Sequence, residues 1–229
     1  MKLAAVTGLE AEAKVARRAG LEASASGGVA TRTLALAQSF LRDGAEALIS
    51  FGIAGALAPE LQSGMLLLPR AVVDESGARY AVDEAWRAQV ERALLTAGLL
   101  VEARDLLGAD QAAASAARKA ALFAGTGAAA IDLESHLVAR VASEAQRPFL
   151  ILRAVADPAS RDLPPAAVDG LKEDGTPALT RVISSVLQHP GQIAALLRLG
   201  GDTRRALLAL GSALDTKPFA ARADAGGAR

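Results

Sequence analysis

Apolar and polar positions alternate along this chain in two periods, and the alternation predicts strands exchanged with helices. Leu3 to Thr7 is a short apolar run that reads as a first strand, and Glu10 to Arg18 follows with helical spacing, with Gly20 as its stop signal. Thr31 to Leu41 repeats the helical pattern through Leu34, Ala37, Phe40 and Leu41, and Asp43-Gly44 breaks it before a strand over Ala47 to Phe51. Met65 to Pro69 and Ala71 to Val73 are β-like and read as one bent ribbon. Glu84 to Ala97 reads as a helix with Val90, Leu94 and Ala97 on one side and Arg87, Glu91 and Arg92 towards water. Leu99 to Leu107 reads as a further strand, and Asp110 to Lys119 is an Ala-rich stretch whose composition leaves its state open. Ala129 to Asp132 is a short strand ahead of a helix from Ser135 to Gln146, and Phe149 to Ala156 is an unbroken apolar run typical of a strand buried on both faces. Strands that alternate with helices in this way define an α/β chain with a mostly parallel sheet.

The last third is helical and punctuated. Thr176-Pro177 begins a helix that runs to about Leu187 before His189-Pro190. Gln192 to Leu199 and Thr203 to Leu214 read as two short amphipathic helices separated by Gly200-Gly201, with Arg198, Arg204 and Arg205 beside the Leu-rich faces. Those faces suit docking on the core or on a second subunit, and they also admit peripheral contact with a membrane surface. Residues 1–190 are therefore expected to form the main domain, 191–215 the C-terminal helices, and 216–229 a small, polar, disordered tail.

Composition narrows the function. A chain of 229 residues with 52% hydrophobic positions has ample material for one core. Lys and Arg (25) balance Asp and Glu (25), and aromatic residues are 3%, so neither an electrostatic footprint nor stacking platforms for nucleic acid are present. Without Cys, and with His136 and His189 as the only histidines, thiolate catalysis is excluded and no metal site is expected. The apolar start is too short for a signal peptide, and no stretch reaches the length of a membrane span, so a cytoplasmic location is expected.

Asp157 ends the Phe149 strand where a Pro-containing loop begins, the edge of an α/β sheet at which ligands bind. A strand-end or capping Asp would look the same. A second acidic strand end, Asp132-Leu133-Glu134-Ser135, shifts the balance towards chemistry, and Ser50-Phe51-Gly52-Ile53-Ala54-Gly55 supplies a Gly-rich loop that lets backbone approach a ligand. Neither the dinucleotide nor the P-loop glycine pattern is present, and no cofactor is expected.

Four segments in order, Met1 to Glu12, Gly52 to Pro59, Asp132 to Ser135 and Arg153 to Asp157, resemble the purine nucleoside phosphorylase and methylthioadenosine/S-adenosylhomocysteine nucleosidase superfamily over about residues 1–190. The wording GLEAEA, DLESH and the Arg-bearing C-terminal segments are most similar to the hopanoid-associated phosphorylases, which are assigned to removing adenine from adenosylhopane. The resemblance implies a three-layer α/β/α domain with a mixed, mostly parallel sheet, and a homodimer. It also implies roles. Asp157 matches the acid that protonates purine N7; Glu134 matches the acceptor of the ribose 2′- and 3′-hydroxyls, with Leu133 against the ribose or base; Glu12 matches the glutamate that positions water; Ser50, Gly52, Ile53, Ala54 and Gly55 form the ligand-facing segment.

Phosphate-using relatives place Arg and Ser after the second strand, where this chain has Ser50 and Ile53 and no positive charge, so the local chemistry favours water as nucleophile, whereas the resemblance to the hopanoid-associated phosphorylases implies phosphate; water is the expectation. Gly108 to Ala113, in the place of the base clamp, has no aromatic ring; Phe123 is a substitute whose expected job is core packing, and His136 reads as a surface or core histidine. Arg161 and Asp162 belong to a loop that reads either as a plain solvated loop or as one that closes over a ligand. The expected partner is a small or lipid-linked adenine nucleoside, with the inner membrane surface as a further location. Alternatives are a phosphorylase, a methylthioadenosine/S-adenosylhomocysteine nucleosidase, a non-catalytic nucleoside-binding protein, and a structural subunit of a membrane-associated assembly.

Overall fold

A computed structural model describes residues 2–168, 175–176, 188 and 190–219. The strands are β1 (Leu3–Thr7), β2 (Glu22–Ala25), β3 (Ala47–Ala56), β4 (Leu66–Leu67), β5 (Ala71–Asp74), β6 (Arg79–Ala81), β7 (Val101–Glu102), β8 (Leu106–Gly108), β9 (Ala130–Asp132) and β10 (Phe149–Asp157). The helices are α1 (Glu10–Arg18), α2 (Ala30–Arg42), α3 (Glu84–Thr96), α4 (Ala116–Thr126), α5 (Ser135–Glu144), α6 (Pro165–Val168) and α7 (Ile193–Asp215).

All ten strands join one sheet in the order β6-β5-β8-β9-β3-β10-β4-β7, with β1 and β2 attached beside β3. β3 is the hub. Its first half pairs in parallel with β1 (Val6 opposite Ser50), its far end pairs antiparallel with β9 (Gly55 opposite Ile131), and β10 runs parallel along its other side. Six of the nine pairings are parallel: β1 with β2 and β3, β10 with β3, β4 with β7, β5 with β8, and β8 with β9. The expected α/β/α sandwich with a mixed, mostly parallel sheet is what the chain forms. One apolar layer holds Ala37 and Phe40 of α2 and Val138 and Val141 of α5 against the sheet; the opposite layer holds Ala13 and Ala16 of α1, Trp86 and Val90 of α3, and Ala206, Leu210 and Leu214 of α7. β10 is buried at every position, as its unbroken apolar run requires.

Several elements differ from the sequence reading. The Gly-rich segment 52–56 is strand, because β10 on one side and β9 on the other both supply partners for its backbone. Met65 to Val73 is not a single ribbon: β4 joins β10 and β7, whereas β5 joins β8 and β6. The expected Leu99 strand is two short strands, β7 and β8, and the open Ala-rich stretch leads into α4, whose Ser115 side chain caps Arg118 N–H and whose Gly127 closes it at φ +68°. Arg87 is buried rather than solvated, held by Glu84 at 2.7 Å and Glu91 at 3.2 Å. The two C-terminal helices are one, α7, running through Gly200 and Gly201. Two helical glycines cost roughly 1 kcal/mol each; the docked face of Ala206, Leu210 and Leu214, and buried Asp202 bound to Arg161 at 2.7 Å, outweigh that. At the start of the expected tail, Phe219 is buried with its ring edge-on to Trp86 at 5.9 Å. The helix expected from Thr176-Pro177 to Leu187 and the tail beyond residue 219 lie outside the described residues.

Candidate active site

Four elements converge on β3. α1 begins directly after β1, which sends Glu12, in its first turn, back over the strand ends. Glu12 Oε2 accepts the N–H groups of Gly8 (2.9 Å) and Leu9 (2.7 Å), the latter an ordinary way to satisfy a helix N-terminus. Less ordinary is the other oxygen: Oε1 accepts Ile53 N–H of β3 at 2.9 Å, and the side chain is 1% exposed. The surface carboxylate that a first helix would usually present is absent here. Gly52 makes this possible, since its φ is +151° and a Cβ there would lie 2.6 Å from the Glu12 carboxyl carbon.

Glu134 stands at the junction of β9 and α5, and a Cβ on Gly8 would lie 2.7 Å from its Oε1. Leu133 packs towards Gly28, where its Cδ1 is 3.4 Å from the position of a Cβ. Between Glu12 and Glu134 lies Arg153 of β10, fully buried, in register with Gly52. Its Nη2 donates to Ser50 Oγ (2.6 Å) and Glu134 Oε2 (3.0 Å) and pairs with Asp132 Oδ2 (2.6 Å), while Nη1 donates to Ile53 O at 3.3 Å. Ser135 Oγ bridges to Ser50 Oγ at 2.9 Å. The cluster therefore corrects the expectation that no cation lies beside Ser50 and Ile53. That cation is already committed, since a single guanidinium serves Asp132 and Glu134 directly and Glu12 through space.

The electrostatics follow from burial. Desolvation raises the Glu12 carboxyl above its ordinary value against the opposing pull of Arg153 and the three backbone N–H donors. Glu134 is pushed up to about 7, by burial first, with Arg153 opposing and the charges of Asp132 and Glu12 adding to the rise.

Asp157 lies at the end of β10 opposite Gly55 of β3, where a register shift follows Val155 and its Oδ2 is 3.6 Å from the position of a Cβ on Gly55. Three residues of extended strand separate Gly52 from Gly55, about 10 Å, so Glu12 and Asp157 approach two ends of the same segment of β3. Ala54 between them is buried. Asp157 opens into a cavity of about 530 Å³ bordered by Arg161, Asp162, Leu163, Arg198 and Asp202. Burial raises its carboxyl, opposed by the hydrogen bond and charge of Lys119, whose Nζ sits 2.5 Å from Oδ2. The loop expected to close over a ligand is tied down: Asp162 Oδ1 accepts Ala116 N–H at 2.7 Å and Leu163 N–H reaches Ala114 O at 2.8 Å.

Two other candidates have packing contacts of their own. His136 packs on Gly108 with Nε2 3.5 Å from Asp110 Oδ1, and Phe123 packs in the apolar cluster beneath α4. Sequence reasoning assigned no role to Arg153, Asp132 or Lys119. An arginine inside an otherwise apolar strand was the signal for the first. Among the described residues no group of three or more His, Asp and Glu side chains is arranged to hold a metal ion. No helix among them is long and apolar enough to cross a membrane.

Three buried carboxyl groups surround Arg153 of β10, and a further acid, Asp157, ends that strand, at the edge where open α/β sheets bind their ligands. The family model of the phosphorylase superfamily matches residues 18–188, and the chain belongs to that superfamily. No curated protein matches it. Among solved structures it is similar to the 5′-methylthioadenosine/S-adenosylhomocysteine nucleosidase of Helicobacter pylori, with 16% identity, a TM-score of 0.68, and coverage of 94% of this chain and 98% of that one. The corresponding nucleosidase of Neisseria meningitidis is 18% identical with a TM-score of 0.68, covering 95% and 100%. The futalosine hydrolase of Helicobacter pylori is 16% identical with a TM-score of 0.67, covering 94% and 97%. At these identities the likeness is one of fold.

Proposed function

We propose that this protein cleaves the N-glycosidic bond of an adenine nucleoside and that water is the nucleophile. The observation that carries the reading is the inventory of ionisable groups in the buried cluster: three carboxyl groups, Glu12, Asp132 and Glu134, share one guanidinium, Arg153. Breaking this bond leaves positive charge on the ribose and negative charge on the base. In their ionised state these carboxylates outnumber the single cation, which stabilises an oxocarbenium-like sugar and repels an incoming phosphate dianion.

The roles divide along the groove. Glu134 accepts hydrogen bonds from the ribose hydroxyls through Oε1, since Oε2 is held by Arg153, and Leu133 lies beside it against the sugar. Glu12 keeps a lone pair on Oε1 that accepts a proton from water, while its three backbone donors fix the carboxylate in place. Asp157 gives a proton to N7 as the base departs. Gly52, Ile53, Ala54 and Gly55 supply the backbone of the floor, and Ser50 orients Arg153. The superfamily relatives of like fold include nucleosidases of methylthioadenosine and S-adenosylhomocysteine, which supports adenine as the leaving group.

For the 5′ side we infer a lipid-linked substrate, adenosylhopane, from the resemblance to the hopanoid-associated phosphorylases and from Ile193, Leu197 and Leu208 of α7, which are 46%, 73% and 62% exposed next to Arg198, Arg204 and Arg205. Such a face suits an anionic membrane surface. The reading carries with it a homodimer in the cytoplasm, working at the inner membrane surface. Ser50 beside Arg153 is the one feature that favours phosphate. Incubation with adenosylhopane and with methylthioadenosine, each with and without phosphate, tests the whole reading. Adenine and a free ribosyl product in phosphate-free buffer are expected; strict phosphate dependence with a ribose 1-phosphate product overturns water as nucleophile.

A further inference from the structure

Among the described residues Lys119 is the one lysine buried completely, and its sequence context, the first turn of an Ala-rich helix, gives it no obvious partner. A buried lysine is costly unless its hydrogens and charge are met. Here all three are. Nζ donates to Pro158 O at 3.1 Å and Arg161 O at 2.7 Å, and pairs with Asp157 Oδ2 at 2.5 Å. An ammonium has three hydrogens and a neutral amine two, so this set of acceptors matches the charged form and leaves Asp157 Oδ1 free to carry the carboxyl proton.

We propose that Lys119 is a positioning residue for the acid of this site: its ammonium occupies Asp157 Oδ2 and leaves Oδ1 as the oxygen that meets the leaving base. The proposal rests on the reading of Asp157 as the acid that protonates the purine. It has a consequence for catalysis beyond geometry. An adjacent cation favours the carboxylate, so Lys119 offsets the rise that burial imposes on Asp157 and sets the pH at which the acid loses its proton.

Loop anchoring alone does not account for Lys119. The same loop is held by Asp162 on Ala116 N–H, by Leu163 on Ala114 O, and by the Arg161 to Asp202 pair at 2.7 Å. The other charged groups that face Asp157 are Arg161 and Asp162 from the loop and Arg198 and Asp202 from α7. Arg161 is already neutralised by Asp202, which leaves Lys119 as the cation in direct contact with the acid.

The test is the pH profile of kcat/KM for adenine release, which reports the free enzyme. Lys119→Gln removes the charge and keeps two donors for the carbonyls of Pro158 and Arg161. Its alkaline limb is expected about 1 to 3 pH units above that of the wild type, with Lys119→Arg returning the limb towards the wild-type position. A limb that does not move in folded Lys119→Gln, whatever happens to KM, overturns the proposal and reduces Lys119 to a loop anchor. Asp157→Asn separates the two levels of the argument: near-normal turnover in that variant removes the acid itself, whereas loss of turnover with an unmoved Lys119→Gln limb removes Lys119 only. Nitrogen NMR of the wild-type lysine side chains at pH 7 reads the pair without any variant. A solvent-protected ammonium that disappears in Lys119→Arg is expected, and a neutral amine at this position overturns the proposal even if Lys119→Gln does not fold.

Discussion

Ile53 N–H donates to Glu12 Oε1 at 2.9 Å across a stretch of strand where Gly52 leaves room for hydrogen and nothing larger. A methyl group at Gly52 would meet the Glu12 carboxylate at 2.6 Å, on a backbone with φ +151° that side chains rarely adopt. Gly52→Ala is therefore expected to displace Glu12, to lower stability by roughly 1 to 3 kcal/mol, and to depress turnover together with it. Denaturant titration and adenine release measure both. Wild-type stability in this variant would mean that Glu12 and β3 do not approach as described.

Asp157 carries the protonation of the base. Asp157→Asn retains shape and removes the proton, so binding of a substrate analogue should persist while turnover falls by about 10² or more. Turnover near the wild-type value sinks the assignment, and loss of binding with unchanged kcat would recast Asp157 as a recognition group.

The sugar clamp makes a sharper distinction. Glu134 has Oε2 on Arg153, and Oε1, beside Gly8, is the oxygen proposed to meet the sugar, so Glu134→Gln should weaken a ribonucleoside much more than its 2′-deoxy analogue, which already lacks one hydroxyl partner. Equal losses on both sugars would show that Glu134 does not read the 2′-hydroxyl.

Glu134 also ties stability to pH. Its carboxyl is raised from 4.5 to about 7 in the folded protein, so between those values the folded state holds a proton that the unfolded chain has released. That contribution is fully present below about 4.5 and is lost as pH rises through about 7, at about 1.4 kcal/mol per pH unit for one proton. Glu12 and Asp157, both raised by burial, act with the same sign. The unliganded protein should melt at a lower temperature at pH 8 than at pH 5.5, and Glu134→Gln should flatten the slope. A parallel slope in the variant would remove Glu134 as its source.

What the sequence disclosed and what it hid follow from range. β1, α1 and β10 are local: apolar runs and helical spacing lie within the segment, and their bounds match to within a residue. β2 and β6 have no such pattern, because Glu22–Ala25 borrows its partner from β1 and Arg79–Ala81 from β5. Gly52 to Ala56 read as a loop because glycine weakens a strand, yet two neighbouring strands hold it extended. Asp157 and Glu134 were legible because they follow or end strands, a position with a known meaning in this fold class, whereas Glu12, in the first turn of α1, was legible only through the family resemblance. Lys119 was not. It sits 38 residues from Asp157 in the chain, and only the packing of α4 under the loop after β10 brings the two together.

The last prediction concerns the 5′ side. Removing everything after His189 would separate substrates cleanly if α7 were an appendage, but α7 buries Ala206, Leu210, Ala213 and Leu214 against the sheet layer that holds Ile49 and Leu152. Truncation is expected to unfold the protein, and the outer face must be tested on its own. Leu197 and Leu208, at 73% and 62% exposed, touch little and can be changed to Ser with an effect on stability within about 0.5 kcal/mol. Leu197→Ser with Leu208→Ser should leave cleavage of soluble methylthioadenosine within a factor of about two, and should reduce both sedimentation with anionic vesicles and cleavage of adenosylhopane presented in them, since each buried leucine contributes roughly 1.5 to 3 kcal/mol to apolar contact. If the double variant binds vesicles and cleaves the lipid as the wild type does, α7 is a packing element alone and the lipid must enter by another face.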